Sequence, residues 1–164
     1  MKKYFCIILL LTAAIAVFPQ SAPKFGESML FLNKEKAKTL MKESGFKNVE
    51  TKTMCCEELD NSLCDIISGT SDWCGMCHVY FKKGEVNPSF LNINLVTYAN
   101  NYTAINDWKN AGYVILKSMP SENSHLLIRD RKGQKYSFIA RVQILSTSDG
   151  TITNTKILKM LTPQ

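Results

Sequence analysis

Several features that would assign this sequence to a common functional class are missing from it. No apolar run beyond residue 18 approaches the roughly 20 residues of a membrane-spanning helix, so we expect no stable membrane insertion there. The basic residues are scattered without interleaved aromatics, which gives nucleic-acid binding little support. No glycine-rich phosphate loop, paired-carboxylate motif or Ser/His/Asp arrangement is recognisable. Internal repeats and low-complexity linkers are also lacking, which indicates a single domain.

The first residues have the pattern of a secretory signal peptide. A positive start is followed by an apolar run over 4–18 that is too short to span a bilayer. Small residues come next and place the cleavage between Ala16 and Ala22. We predict a signal peptide over 1–22, a single soluble domain over 23–164 and an extracytoplasmic location, periplasmic or secreted. An uncleaved membrane anchor is the alternative.

Removing 22 of the 164 residues leaves 142, which is enough for one domain with its own core. Its predicted elements are a helix over 34–44 capped by Asn33, a strand over 64–68, a helix over 74–83, a strand over 91–98, a helix from Thr103 to Gly112, a strand over 113–117 and a hairpin of 125–130 with 134–145. The tail over 154–161 fits either a helix or a strand. This order indicates an α/β layer pattern with an antiparallel end.

The predicted sheet has four or five strands. Its core should contain the apolar residues that alternate along these strands, namely Leu91, Ile93, Leu95, Val114, Leu116, Leu127, Ile139 and Val142.

Cysteine is the most informative residue type in this chain. The predicted mature domain has five, and an odd number leaves at least one thiol outside internal pairing. Choosing the unpaired one and then pairing the other four gives 15 arrangements, between which the sequence does not decide. Cys55 and Cys56 are neighbours and would pair with each other only in a strained ring. They are structural disulfide candidates together with Cys64, and a bridge from one of them to Cys64 is favoured.

The segment Trp73-Cys74-Gly75-Met76-Cys77-His78 carries the main functional hypothesis. In one interpretation a strand leads through a loop into a helix whose first turn holds Cys74. A thiolate there would face free backbone N–H groups and the positive end of the helix dipole, both of which lower its pKa. Cys77, one turn further on, would then resolve a mixed disulfide by attacking the Cys74 sulfur.

Trp-Cys-Gly-x-Cys resembles the redox signature of the thioredoxin superfamily. Residues 78–96 are similar to the helix and strand that follow this signature in exported members, and the resemblance extends over roughly 62–161. It implies a thioredoxin-like central sheet with flanking helices and an antiparallel C-terminal hairpin. It also implies a thiol–disulfide oxidoreductase with Cys74 and Cys77 as catalytic residues. Trp73 and a cis-proline loop at Pro120 would bind the substrate, and the partners would be protein thiols or disulfides. Met76 departs from the pattern, which usually has proline there.

Two other interpretations of the same segment stay open. Cys-x-x-Cys-His is the attachment motif of covalent c-type haem, in which Cys74 and Cys77 hold the macrocycle and His78 is an axial ligand. Met119 is a conceivable second ligand. Alternatively, the cysteines are structural, and the chain is a disulfide-stapled α+β domain without enzymatic activity that binds a partner. The thiol–disulfide and structural interpretations need no cofactor.

Overall fold

The structure is a computed structural model, and it describes residues 21–97, 101–130, 135–147 and 150–161. Helix α1 spans Ala22–Met29, α2 spans Lys34–Glu43 and α3 spans Asn101–Asn110. The strands are β1 (Lys47–Cys56), β2 (Ser62–Ser71), β3 (Gly75–Lys82), β4 (Phe90–Thr97), β5 (Val114–Met119), β6 (Ser124–Arg129), β7 (Tyr136–Thr147) and β8 (Gly150–Leu161). The predicted signal peptide falls almost entirely outside the described residues, and so does the connection at 131–134 of the predicted hairpin.

All eight strands belong to one sheet, in the order β1-β2-β3-β4-β8-β7-β6-β5. Every neighbouring pair is antiparallel. The predicted α/β fold with a thioredoxin-like central sheet is therefore wrong, since this chain is mostly β. The strand at 91–97 pairs with β3 and β8, whereas the strand at 114–119 lies at the far edge of the sheet.

Each half of the described chain runs from a helix into four antiparallel strands. Strands β1 to β4 follow α2 and occupy one side of the sheet, while β5 to β8 follow α3 and occupy the other. The last strand of each half lies in the middle, where β4 pairs with β8 over seven residue pairs. The sheet is therefore joined by strands that are distant in sequence.

The helices pack on one face of the sheet, and the main hydrophobic core lies between the helices and the sheet. Asn33 caps α2 by accepting a hydrogen bond at Oδ1 from the Lys36 amide (3.0 Å), and Gly45 follows the helix with φ +83°. The sheet contributes residues of β2, β3, β4, β6, β7 and β8 to this core, and along β3, β4 and β7 they are every second residue, as the side-chain period of two requires. The largest fully buried side chains of this core, from the helical layer and the sheet together, are Phe25, Met29, Leu30, Met41, Ile67, Phe81, Leu91, Ile93, Trp108, Leu127, Phe138 and Ile157.

The helix predicted over 74–83 is wrong, because these residues form strand β3 after a short turn. Cys77, Val79 and Phe81 are fully buried, while Met76 and Lys82 are exposed. This alternation has the period of a strand, and the β-branched and aromatic residues in it favour a strand. The Trp-Cys-Gly-x-Cys resemblance had suggested a helix at a place where the local pattern already indicated a strand.

The core prediction is partly confirmed. Leu91, Ile93, Leu127 and Val142 are fully buried. Ile139 is only partly buried, and the Leu95 side chain lies outside the described part of the structure. Val114 and Leu116 are 65% and 61% exposed, so their assignment to the core is wrong. Both lie on β5, which is an edge strand because its only neighbour in the described sheet is β6.

Several other elements agree with the prediction. The helix over 34–44 and the helix that ends before Gly112 are confirmed, as are the strands of the 125–145 hairpin. The ambiguous tail is a strand, β8. None of the helices in the described residues has the length and apolarity that crossing a membrane requires.

Candidate functional site

The face of the sheet that points away from the three helices is named here the open face. It consists of the alternate strand residues whose side chains point away from the main core. Polar side chains dominate its middle, and the pairing register aligns six of them in one row across six strands. From β1 to β7 this row is Glu50, Ser68, His78, Asn92, Lys156 and Arg141. Consecutive strands thus present hydrogen-bonding or charged groups to the same strip of surface.

The rows on either side of this polar row differ in character. One contains Thr70, Met76, Asn94, Asn154, Gln143 and Ser124, and is again mostly polar. The other contains Ile66, Tyr80, Phe90, Leu158, Ile139 and Ile128, and is mostly apolar. The open face is therefore amphipathic: its character changes from polar to apolar along the direction of the strands.

A groove of about 450 Å³ lies on the open face over β1, β2 and β3. We name it the open-face groove. This volume is within the range of sites that hold small organic ligands. Its walls combine thioether and aliphatic groups with hydroxyl, imidazole and amide groups. The lining residues are Asn48, Glu50, Lys52, Met54, Ile66, Ser68, Gly69, Thr70, Met76, His78 and Tyr80.

His78 is the central polar residue of the open-face groove. Its Nδ1 shares a 2.8 Å hydrogen bond with the Ser68 hydroxyl, which lies directly opposite on β2. Burial lowers the pKa of this histidine, so the neutral ring is favoured. The Tyr80 ring stacks on Phe90 with centroids 4.3 Å apart, and burial raises the pKa of its phenol. Both polar side chains are thus held in place by neighbouring strands.

Residues 57–61 connect β1 to β2 and are named the β1–β2 turn. Leu59 packs against a second small cluster on the open face, formed by Cys56, Cys64, Ile66 and Phe90. Glu58 reaches a polar depression of about 230 Å³ that it lines with Asn92, Arg141, Gln143, Asn154 and Lys156. The Lys156 ammonium lies 4.0 Å from the centroid of the Phe90 ring. The turn therefore covers part of the apolar row and leaves the open-face groove accessible.

The predicted catalytic cysteines lie on the opposite, helix-covered side. Cys74 is in the turn between β2 and β3, where its amide donates to the Ser71 hydroxyl (3.2 Å), and Cys77 is in β3. Both thiols are fully buried in the main core. Burial raises the pKa of Cys74 to about 12 and that of Cys77 well above its ordinary value. Because neither lies in a helix, the predicted stabilisation of a thiolate by a helix terminus is absent here.

The predicted substrate-binding residues are not brought together. Trp73 is half-buried; its indole N–H donates to the Ser44 carbonyl (2.7 Å), and its ring packs edge-on against Phe25 and Phe46. Pro120 is exposed at the start of the turn between β5 and β6. Strands β4, β8 and β7 separate that hairpin from β3, at about 4.8 Å per strand. The cis-proline expected at Pro120 is wrong, since no cis peptide bond occurs in the described residues.

The residues do not fit covalent haem. Cys77 and His78 are adjacent in a strand, so their side chains lie on opposite faces of the sheet. A haem held by Cys77 inside the core cannot also reach the His78 ring in the open-face groove. The predicted second ligand, Met119, is on β5 at the other edge. Among the described residues, no group of three His, Cys, Asp or Glu side chains is placed to hold a metal ion.

The disulfide candidates are separated by strand alternation. Cys55 is exposed, whereas Cys56 and Cys64 are buried together on the open face. The Cys56 thiol donates to the Glu58 carboxylate (3.4 Å), and the Cys64 thiol donates to the Ser62 carbonyl (3.4 Å). Burial is the largest cause that raises the pKa of Cys56 to about 11 and the pKa of Cys64 above its ordinary value.

Comparison with known proteins adds no family to this description. No family model matches the chain, and neither a curated protein nor a solved structure matches it. The function is therefore inferred from the site itself.

The open-face groove was not predicted from the sequence. Ser68, Tyr80 and Met54 were not singled out, and His78 was considered only as a haem ligand. The available signal was the alternation over 76–81, in which Met76, His78 and Tyr80 face one way and the buried residues face the other. Recognising that period would have placed a histidine on the surface of a sheet.

Proposed function

We propose that this chain is an exported, non-enzymatic binding domain that holds a small amphipathic molecule in the open-face groove. The observation that carries this proposal is a concave site of about 450 Å³ on the sheet face that the three helices leave bare. Binding sites for small molecules are typically concavities of 300–1,000 Å³ with apolar walls and a few fixed polar groups. Export is supported by the signal-like pattern of residues 1–22.

The composition of the groove indicates the chemistry of the ligand. Met54 and Met76 are about half exposed, and methionine adapts its shape to different apolar surfaces. His78 and Ser68 offer hydrogen-bonding groups between them, while the Glu50 carboxylate pairs with the Lys52 ammonium at 2.7 Å and is already neutralised. These features favour a ligand with an apolar body and one hydrogen-bonding group over a highly charged one.

Thiol–disulfide exchange at Cys74 and Cys77 is less well supported. That activity requires an accessible thiol with a lowered pKa. Both thiols are instead fully buried, and burial raises their pKa values. The groove provides a site that a ligand can enter without unfolding the core.

The methionines allow a direct test by NMR. The exported protein would be labelled at its methionine methyl groups and titrated with anilinonaphthalene sulfonate, an amphipathic probe. We expect the Met54 and Met76 signals to shift with saturation. The Met160 signal should stay in place, because Met160 is similarly exposed, at 46%, but lies outside the groove.

A matched pair of variants completes the test. Met76→Glu places a negative charge in the groove, which repels the sulfonate, and should weaken binding of the probe by at least about tenfold, the factor that corresponds to 1.4 kcal/mol. Met160→Glu is the control and should bind like the original protein. Equal shifts at all exposed methionines, or no shift at Met54 and Met76, would contradict the proposal. Shifts that appear on raising the protein concentration alone would assign the groove to a second copy of the chain instead.

A further inference from the structure

The side chains of the two neighbouring cysteines on β1 lie on opposite faces of the sheet. Cys55 and Cys56 are adjacent, so their side chains leave the strand on opposite faces. Cys55 is exposed, while Cys56 is 4% exposed and shares the open face with the fully buried Cys64. Of the two candidates for a bridge to Cys64, only Cys56 is on the correct side of the sheet.

The register brings Cys56 and Cys64 close to each other. Cys56 pairs with Ser62, and Met54 pairs with Cys64, so the two cysteines are diagonal neighbours on one face. Both belong to the same small buried cluster. A disulfide needs Cβ atoms about 4 Å apart. Cys56 is the last residue of β1, so the end of that strand can move toward Cys64 without breaking the middle of the ladder.

We propose that Cys56 and Cys64 form a disulfide that fastens the β1–β2 turn onto the open face, and that Cys55 remains a free thiol. Two S–H bonds are lost and one S–S bond forms. The two electrons and two protons pass to a disulfide oxidant, such as oxidised glutathione or an exported dithiol oxidase, which leaves as two thiols. The proposal concerns the covalent state of the turn and does not require that the open-face groove bind a ligand.

The turn would change in a defined way on oxidation. The Cys56 thiol now donates to Glu58, and that donation ends when the sulfur enters a disulfide. Leu59 lies between the two cysteines in sequence and packs on their cluster, so the bond would close a short loop around it. A short covalent loop restricts the unfolded turn more than the folded one and so favours the packed position.

Peptide mapping of the exported protein tests the pairing. After oxidation with glutathione disulfide and blocking of free thiols, cleavage before aspartate cuts at Asp60, Asp65 and Asp72. These cuts separate Cys55 and Cys56 from Cys64, and Cys64 from Cys74 and Cys77. We expect residues 60–64 to be linked to the peptide that ends at Leu59, with one blocked thiol in that peptide.

Variants identify the partner and provide a second readout. Cys55→Ser should keep the link, because its exposed side chain is not involved, whereas Cys56→Ser should abolish it. Cleavage by a glutamate-specific protease at Glu57 and Glu58 should be at least tenfold slower in the oxidised protein than in the reduced one. Loss of the link in Cys55→Ser, a link from Cys64 to Cys74 or Cys77, or Cys64 recovered blocked would overturn the proposal. Failure of the methionine titration would leave it unaffected.

Discussion

Ser68 and His78 lie opposite each other on β2 and β3, and their hydrogen bond of 2.8 Å spans the middle of the open-face groove. The bond holds the imidazole ring against the sheet and leaves its Nε2 edge as the remaining polar position. Because burial also favours the neutral ring, His78 enters the groove as an uncharged hydrogen-bonding group. Its protonation should therefore oppose folding.

We predict that stability falls as the pH drops below the ordinary histidine value of about 6.5. The pKa of His78 is lower in the folded protein than in the unfolded chain. At pH values between these two pKa values the unfolded chain binds more protons, so lowering the pH favours unfolding. The contribution of a single group does not exceed about 1.4 kcal/mol per pH unit. Urea unfolding at pH 5 and pH 7 measures it. His78→Gln should reduce the dependence, and His125→Gln, which removes the only other histidine, should retain the part due to His78. Equal pH dependence in both variants and the original protein would disprove the assignment.

Alkylation should distinguish the cysteines by their accessibility. In the reduced protein near neutral pH we expect Cys55 to react first, because it is exposed. Cys74 and Cys77 should react only at the rate of unfolding, since both are buried and have raised pKa values. Timed quenching followed by mass spectrometry gives the order. Rapid modification of Cys74 in the folded protein would restore the redox hypothesis.

Substitution of Cys77 should lower the stability of the protein but should not trap a partner in a mixed disulfide. Cys77→Ser places a hydroxyl in the main core and should lower the free energy of unfolding by about 1–3 kcal/mol. Neither Cys77→Ser nor Cys74→Ser should trap a partner as a mixed disulfide. Melting curves and non-reducing gels of both variants provide the measurement. Trapping at Cys74 in the Cys77→Ser protein would contradict this prediction.

The ion pair between Glu27 and Arg129 should stabilise the contact between α1 and β6. Arg129 Nη1 donates to both oxygens of Glu27, at 2.7 and 2.9 Å, and Glu27 is only 5% exposed. Glu27→Gln should cost about 3 kcal/mol, because it leaves the guanidinium without its charge partner in a largely buried position. Denaturant unfolding measures the loss. Asp72→Asn, which breaks the exposed Lys47–Asp72 pair, is the control and should cost less than about 1 kcal/mol. Similar losses in both variants would show that burial of the pair is unimportant.

The cap of α2 gives a prediction of smaller size. Asn33→Ala removes the acceptor for the Lys36 amide and should destabilise the protein by about 1 kcal/mol. Asn33→Ser should retain most of the stability, since serine is also a good cap. Thermal melts of the three proteins would show whether the ranking holds.

Local signals in the sequence predicted local structure well. The Asn33 cap gave the correct start of α2, and the alternation at Leu91 and Ile93 gave a correct strand. These features depend on neighbours within a few residues, which the sequence displays directly.

Long-range arrangement was not predictable in the same way. The pairing of β4 with β8 joins residues about 60 positions apart, such as Asn92 and Lys156, and no local pattern specifies it. The main error came from a short motif: Trp73 to Cys77 suggested a helix start, although the period-two pattern from Met76 to Phe81 favoured a strand. The groove was also not predicted, because it forms only when three separate strands lie side by side.

The central position of β8 has a consequence for biosynthesis. Strands β1 to β4 can form their hairpins as soon as they are made, but the sheet is not continuous until residues 150–161 have left the ribosome. Contacts of such large sequence separation slow folding, since the loop must close before they contribute. The nascent chain would therefore stay incompletely folded during most of its synthesis. In the proposed export of this chain, the delay would keep it extended and competent for translocation.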